Sequence, residues 1–354
     1  MTAVFTRPTV IERSAVDQVR AVRVRLRRRT TVVSFILVAI LTVVFGVALT
    51  LGAFPIGLGD VGWALVGQGS PADRFIVGQF RLPRAGLAVL VGICLGMSGA
   101  VFQSMLRNPL ASPDVIGITS GASASAVVAI LVLGFSGVSV SAFAFGGAVL
   151  TAAAMYGLAW RQGVSGYRMV LVGIGCAAVL GSIVDVLLTR ADVYDAQVAL
   201  RWLTGSLDGA DRGELSTLAL LLVVLIPSIV VASRALTALQ LGDDTATAVG
   251  ARVERSRLLL MLLAVALASV AVAAAGPVGF VAFVSGPIAR RLTRGTGIAL
   301  VPAALVGALV VLGSDLIGQH LLPVQLPVGV LTAVVGAPYL LYLLVVSNRV
   351  GSGG

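Results

Sequence analysis

The chain has 354 residues, 58% hydrophobic and only 11% charged, with a formal net charge of +10. A soluble domain carries about 25% charged residues, so this sequence lacks the side chains to cover itself with water. Every basic residue is arginine; without a lysine, a GxxxxGK[ST] phosphate loop and Schiff-base chemistry are excluded, and any ATP that drives the protein is hydrolysed on another chain.

Residues 1–31 form a polar arm ending in Arg23-Val-Arg-Leu-Arg-Arg-Arg29. The apolar run Val32–Ala53 is long enough to cross a hydrocarbon core of about 30 Å. Its length and poor cleavage site favour a retained first span over a signal peptide. Further spans are predicted over 85–106, 115–134, 138–160, 168–189, 215–233, 257–276, 278–290, 299–320 and 328–347. The expected fold class is therefore all-α, a polytopic membrane protein of about ten transmembrane helices solvated by the lipid bilayer. Its regions are the arm (1–31), a transmembrane domain (32–347) with a polar inner segment at 234–256, and a tail (348–354). The eighth span is short and opens at Gly276-Pro277, which predicts a broken or half helix; such breaks are tolerated where protein or a cavity surrounds the backbone.

Ten spans leave both termini on one side. With the N-terminus in the cytoplasm, 19 of the 25 arginines fall in inner segments, as the positive-inside rule requires. Arginines scattered over loops between apolar runs also argue against a nucleic-acid partner. Small residues four apart (Gly92 and Gly96; Gly117 and Gly121; Gly173, Ala177 and Gly181) predict close helix packing. Cys94 and Cys176 lie in apolar stretches with no metal-ligand spacing, and His320 is the one histidine, so no metal site and no cofactor are expected.

Four polar segments stand out. They are Arg81-Leu-Pro-Arg84; Gln103 with Arg107-Asn108-Pro109-Leu-Ala-Ser-Pro113; the inner loop 239–252; and Gly276-Pro277 through Gly286-Pro287-Ile-Ala-Arg290. With Trp202…Gly205, Leu241-Gly242, Val249-Gly250 and Leu326-Pro-Val-Gly329 they follow, in order, the motifs of the iron-siderophore and cobalamin permeases, the FecCD family, which this chain resembles over about residues 30–347. Gly286-Pro287 stands where many relatives have Pro-His. The surrounding residues look most similar to permease halves that serve catecholate siderophores.

The resemblance implies a permease subunit, not an enzyme, of a binding-protein-dependent ABC importer. It would work with a second permease chain, more naturally a different one, two ATPase subunits and an extracytoplasmic siderophore-binding protein. Arg81 and Arg84 match positions that meet acidic residues of the binding protein; a further docking arginine is absent near the last outer turn, where Gln319 and His320 stand. Within 239–252, Leu241, Gly242, Asp243, Asp244, Ala248 and Gly250 match the element that seats in the ATPase. Read from the residues themselves, Gly242 ends one short helix, Asp243 or Asp244 caps the next, and Gly250 ends that one. The pathway is expected between two permease chains, walled chiefly by the fifth span. Ser165, Gly166 and Tyr167 match the inner gate, and Trp202 lies near the entrance. Asp185 and Asp315 sit within spans, where ionisable groups are costly and often functional. Haem or cobalamin import by the same machinery is the alternative cargo reading. An ion-coupled secondary transporter is the rival class; a membrane enzyme would need His or Lys constellations that the chain lacks.

Overall fold

A computed structural model describes residues 10–160, 166–240, 242–248, 250–295 and 297–351. Ser165 and Leu241 lie outside the described residues. The described chain is helical: α1 (Val10–Thr50), α2 (Leu58–Leu65), α3 (Pro71–Ile76), a π-helical turn (Val77–Arg81), α4 (Leu82–Met105), α5 (Ile118–Leu131), α6 (Val138–Ala159), α7 (Gly166–Arg190), α8 (Val193–Leu203), α9 (Arg212–Ala232), α10 (Arg234–Leu239), α11 (Asp243–Ala248), α12 (Val253–Ala275), α13 (Val281–Thr293), α14 (Leu300–His320) and α15 (Val328–Gly351).

Seven helices are long and apolar enough to cross a membrane, and two shorter apolar ones cover Ile118–Leu131 and Val328–Leu343. With α13, every predicted span falls on a helix. At 1.5 Å per residue, α1 measures about 60 Å, twice a hydrocarbon core, so its arginine-bearing half projects beyond the bundle. The face it leaves from is called the arm face here. Arg29 Nε donates to Leu292 O at the end of α13, and Arg291 lies over the Tyr342 ring of α15 at 4.9 Å. Both ends of the chain therefore leave from the arm face.

Helix α4 is the axis of the bundle, packed on α14, α12, α13 and α9. Its small residues permit the approach: a Cβ on Gly92 or Gly96 would collide with backbone of α14, and one on Gly99 with the Ala282 carbonyl of α13. Gly173 likewise packs on Ile116, whereas Gly181 has nothing within 4 Å of its Cβ position. The predicted packing triplet on α7 is thus corrected at its last member, because Gly181 faces a cavity.

Helix α5 measures about 21 Å, too short to cross alone. The segment before it is buried at Ala111, Ser112 and Ile116, and its amides are met locally. Leu110 N donates to Asn108 Oδ1 at 2.9 Å and Gly117 N to Asp114 O at 3.0 Å. Irregular backbone survives there because protein surrounds it.

The break between α12 and α13 is built into the core. Gly276 has φ +68° and comes so close to the end of α8 that a Cβ would sit 2.6 Å from Trp202 O. Ser206 N donates to Ala275 O at 2.9 Å, and Gly329 N to Gly205 O at 3.1 Å. The Trp202–Gly205 turn thereby joins the break to the start of α15.

Candidate functional site

A cavity of about 900 Å³ opens on the side of the bundle. Its polar wall is the start of α5 with Asp114, Thr119, Ser120 and Ser123. Its other walls are Asp185 and Val184 of α7, Leu203 and Thr204 after α8, Pro277 and Phe280 at the break, and the first turns of α15. Asp114 Oδ1 accepts from Thr119 Oγ1, while Oδ2 is buried with no hydrogen-bond partner. Asp185 is exposed to the same space. Of the most apolar stretch of α7 only 6% is buried, against 78% for the stretch that contains α4. A helix so bare stands at the edge of the bundle, packed on α5 and α6.

The predicted pathway residues are not brought together. Asp185 lines the large cavity. Trp202 lines a separate hollow of about 300 Å³ with Arg201, Asp208 and Glu214. Tyr167, 78% exposed, stands at the arm-face end of α7, where Gly166 is the first helical residue.

On the face opposite the arm, both arginines of Arg81-Leu-Pro-Arg84 are engaged within the chain. Arg81 donates to the carbonyls of Leu49 (2.8 Å), Thr50 (3.0 Å) and Phe54, which ties the end of α1 to the π turn. Arg84 grips Asp315 of α14 at 2.9–3.2 Å and reaches Asp208 at 2.5 Å. Asp315, 3% exposed, also accepts from Gln319. It is the buried half of an ion pair.

At the arm face, Gln103 explains why Gly286, Pro287 and Arg290 belong together. Pro287 has no N–H for the carbonyl of Phe283, one turn back. Gln103 Nε2 donates to that carbonyl at 2.9 Å, and Arg290 donates to Gln103 Oε1 at 2.9 Å. A Cβ at Gly286 would collide with the Gln103 amide. The departure from Pro-His therefore faces the α4–α13 contact and not the cavity. Asn108, before Pro109, caps the following turn through Leu110 N.

Gly242 and Gly250 have φ of +102° and +84°, left-handed as their placement predicts. Asp243 and Asp244 fall in the first turn of α11 and do not cap it. Asp243 instead bridges Arg257 of α12 at 2.9 Å and Arg107, a non-glycine residue at φ +48°, at 3.6 Å. Ala248 and Gly250 are exposed at the end of α11. Sequence reasoning missed Asp114 and Asp208; the hydroxyls at 119, 120 and 123, one side of a helix starting beside an aspartate, were the available signal for the cavity.

The FecCD transport family matches residues 38–346. The chain belongs to this family. It is 39% identical over 323 residues to the ferric enterobactin transport system permease protein FepG of Escherichia coli K12, covering 91% of this chain and 98% of the relative. It is 39% identical over 323 residues to the Fe(3+)-citrate import system permease protein YfmE of Bacillus subtilis 168, covering 90% and 96%. Among solved structures, an inward-facing metal-chelate type ABC transporter superposes with a TM-score of 0.78 at 26% identity, covering 88% of this chain and 98% of the other. This FecCD chain is a multi-pass membrane permease of the ABC-transporter type, and several of the motifs that carried the resemblance join α4, α8, α13 and α15.

Proposed function

We propose that this chain is one permease half of an importer that moves a ferric siderophore, of the catecholate class, across the cytoplasmic membrane. A second, different FecCD chain, two ATPase subunits and an extracytoplasmic binding protein complete the machine. The observation that carries the reading is the open-sided cavity bordered by the uncovered helix α7. A charged side chain on a lipid-facing helix costs about 2.5–3.5 kcal/mol at the bilayer centre. Asp185 on that bare helix favours a water-filled path shared with a partner chain. Catecholate cargo rests on the likeness to the enterobactin permease; the likeness to a citrate permease makes citrate the competing cargo.

In this reading the arm face is cytoplasmic, and the segment 234–256 with α10 and α11 seats in the ATPase, tethered through Asp243. Arg84 docks the binding protein by exchanging Asp208, whose side chain is 68% exposed, for a partner carboxylate. Tyr167 closes the cytoplasmic exit. A reporter fused after Arg349 should be active in the cytoplasm, and one placed within 191–212 outside. The cargo test is iron-limited growth of a deletion strain fed single ferric chelates. Growth lost on triscatecholates alone supports the proposal; growth lost on ferric citrate alone would assign the citrate class.

A further inference from the structure

The arginine-rich half of α1 precedes the family match, which begins at residue 38. At the arm face, α1 and the turn between α13 and α14 enclose a cavity of about 560 Å³. Arg23 and Arg27, one helical turn apart, point along one wall with Val22 and Leu26; Gly297 and Ile298 form the other. Neither guanidinium has a hydrogen-bond or ion-pair partner among the described residues, in contrast to that of Arg29, which donates to Leu292 O. Thr30 and Thr31, also in the wall, spend their protons on Leu26 O and Arg27 O, so the donors left for a ligand are the two guanidiniums. Helix α14 begins beside the cavity without a side-chain cap, adding the positive end of a 21-residue helix. The apolar run of α1 starts at Val32, one turn beyond Arg27, which places the cavity at the level of lipid headgroups.

We propose that this cavity binds the headgroup of an anionic phospholipid, its phosphate held by Arg23 and Arg27 and its acyl chain running past Val22, Leu26 and Ile298. Guanidinium forks suit phosphate oxygens, and the exposed apolar flank of Val22 suits a chain and not a free ion. The site rests on the membrane placement of α1, and its binding is read in detergent, where sidedness plays no part, so a failed orientation test leaves the outcome unchanged.

The test is native mass spectrometry of the purified full-length chain titrated with dioleoylphosphatidylglycerol or dioleoylphosphatidylcholine. The first phosphatidylglycerol should bind about tenfold or more tightly than phosphatidylcholine. Each arginine beside an anionic headgroup is worth roughly a fivefold change in affinity, so Arg23→Gln with Arg27→Gln should weaken phosphatidylglycerol about 30-fold. Arg25→Gln with Arg28→Gln removes the same charge outside the cavity wall and should weaken it no more than about threefold. Arg23→Lys with Arg27→Lys should retain binding within about fivefold. Equal binding of the two lipids, equal losses in the two Gln pairs, a Lys pair as weak as the Gln pair, or displacement by millimolar inorganic phosphate would each overturn the proposal.

Discussion

The pair between Arg84 and Asp315 sets a measurable energy on the joint between α4 and α14. Replacing Arg84 with Ala leaves the Asp315 carboxylate, 3% exposed, with Gln319 as its remaining donor among the described residues. Removing one partner of a buried pair costs about 3–5 kcal/mol. The Asp208 limb adds little, because that carboxylate is 68% exposed and an exposed pair is worth about 1 kcal/mol at most. The expected loss is about 3–5 kcal/mol, which for a chain of this size is a fall of roughly 4–7 °C in melting temperature.

Removing both charges, as Arg84→Ala with Asp315→Ala, should recover most of the loss. The assay is thermal unfolding of detergent-purified variants. A single variant that melts like wild type, or a double variant no more stable than the single one, would refute the ion-pair account. Arg84→Glu is accordingly a poor probe of docking, since it sets a second carboxylate against Asp315 and harms folding first; Asp208→Asn leaves the buried pair intact and tests docking alone.

Gly92→Val should abolish a monodisperse folded chain in gel filtration because α14 backbone fills the space, while Gly181→Ala, facing the cavity, should leave stability unchanged or raise it by up to about 1 kcal/mol. Asp243→Ala breaks pairs whose carboxylate is 52% exposed and should cost about 1 kcal/mol of stability, yet it should reduce ATP-driven uptake in proteoliposomes if α11 is the coupling element; undiminished uptake would remove Asp243 from coupling.

What the sequence made legible was what depends on local order. Helix positions followed from apolar runs, and the half helix from Gly276-Pro277, because a run of lipid-compatible length between polar ends admits one structure. The order Gln103, Gly286-Pro287, Arg290 was visible as a motif, but its reason was not: the carbonyl left bare by Pro287 meets an amide 180 residues away along the chain. Arg84 read as a free docking charge for the same cause, since Asp208 and Asp315 stand 124 and 231 positions off. The cavity was hidden most completely. Every face of α7 is apolar enough for lipid, so hydrophobic periodicity could not mark which one meets a partner. Asp185 breaks that degeneracy: with Asp114 and Gly181 it lines one hollow, so the side of α7 that carries it faces polar space and not lipid alone.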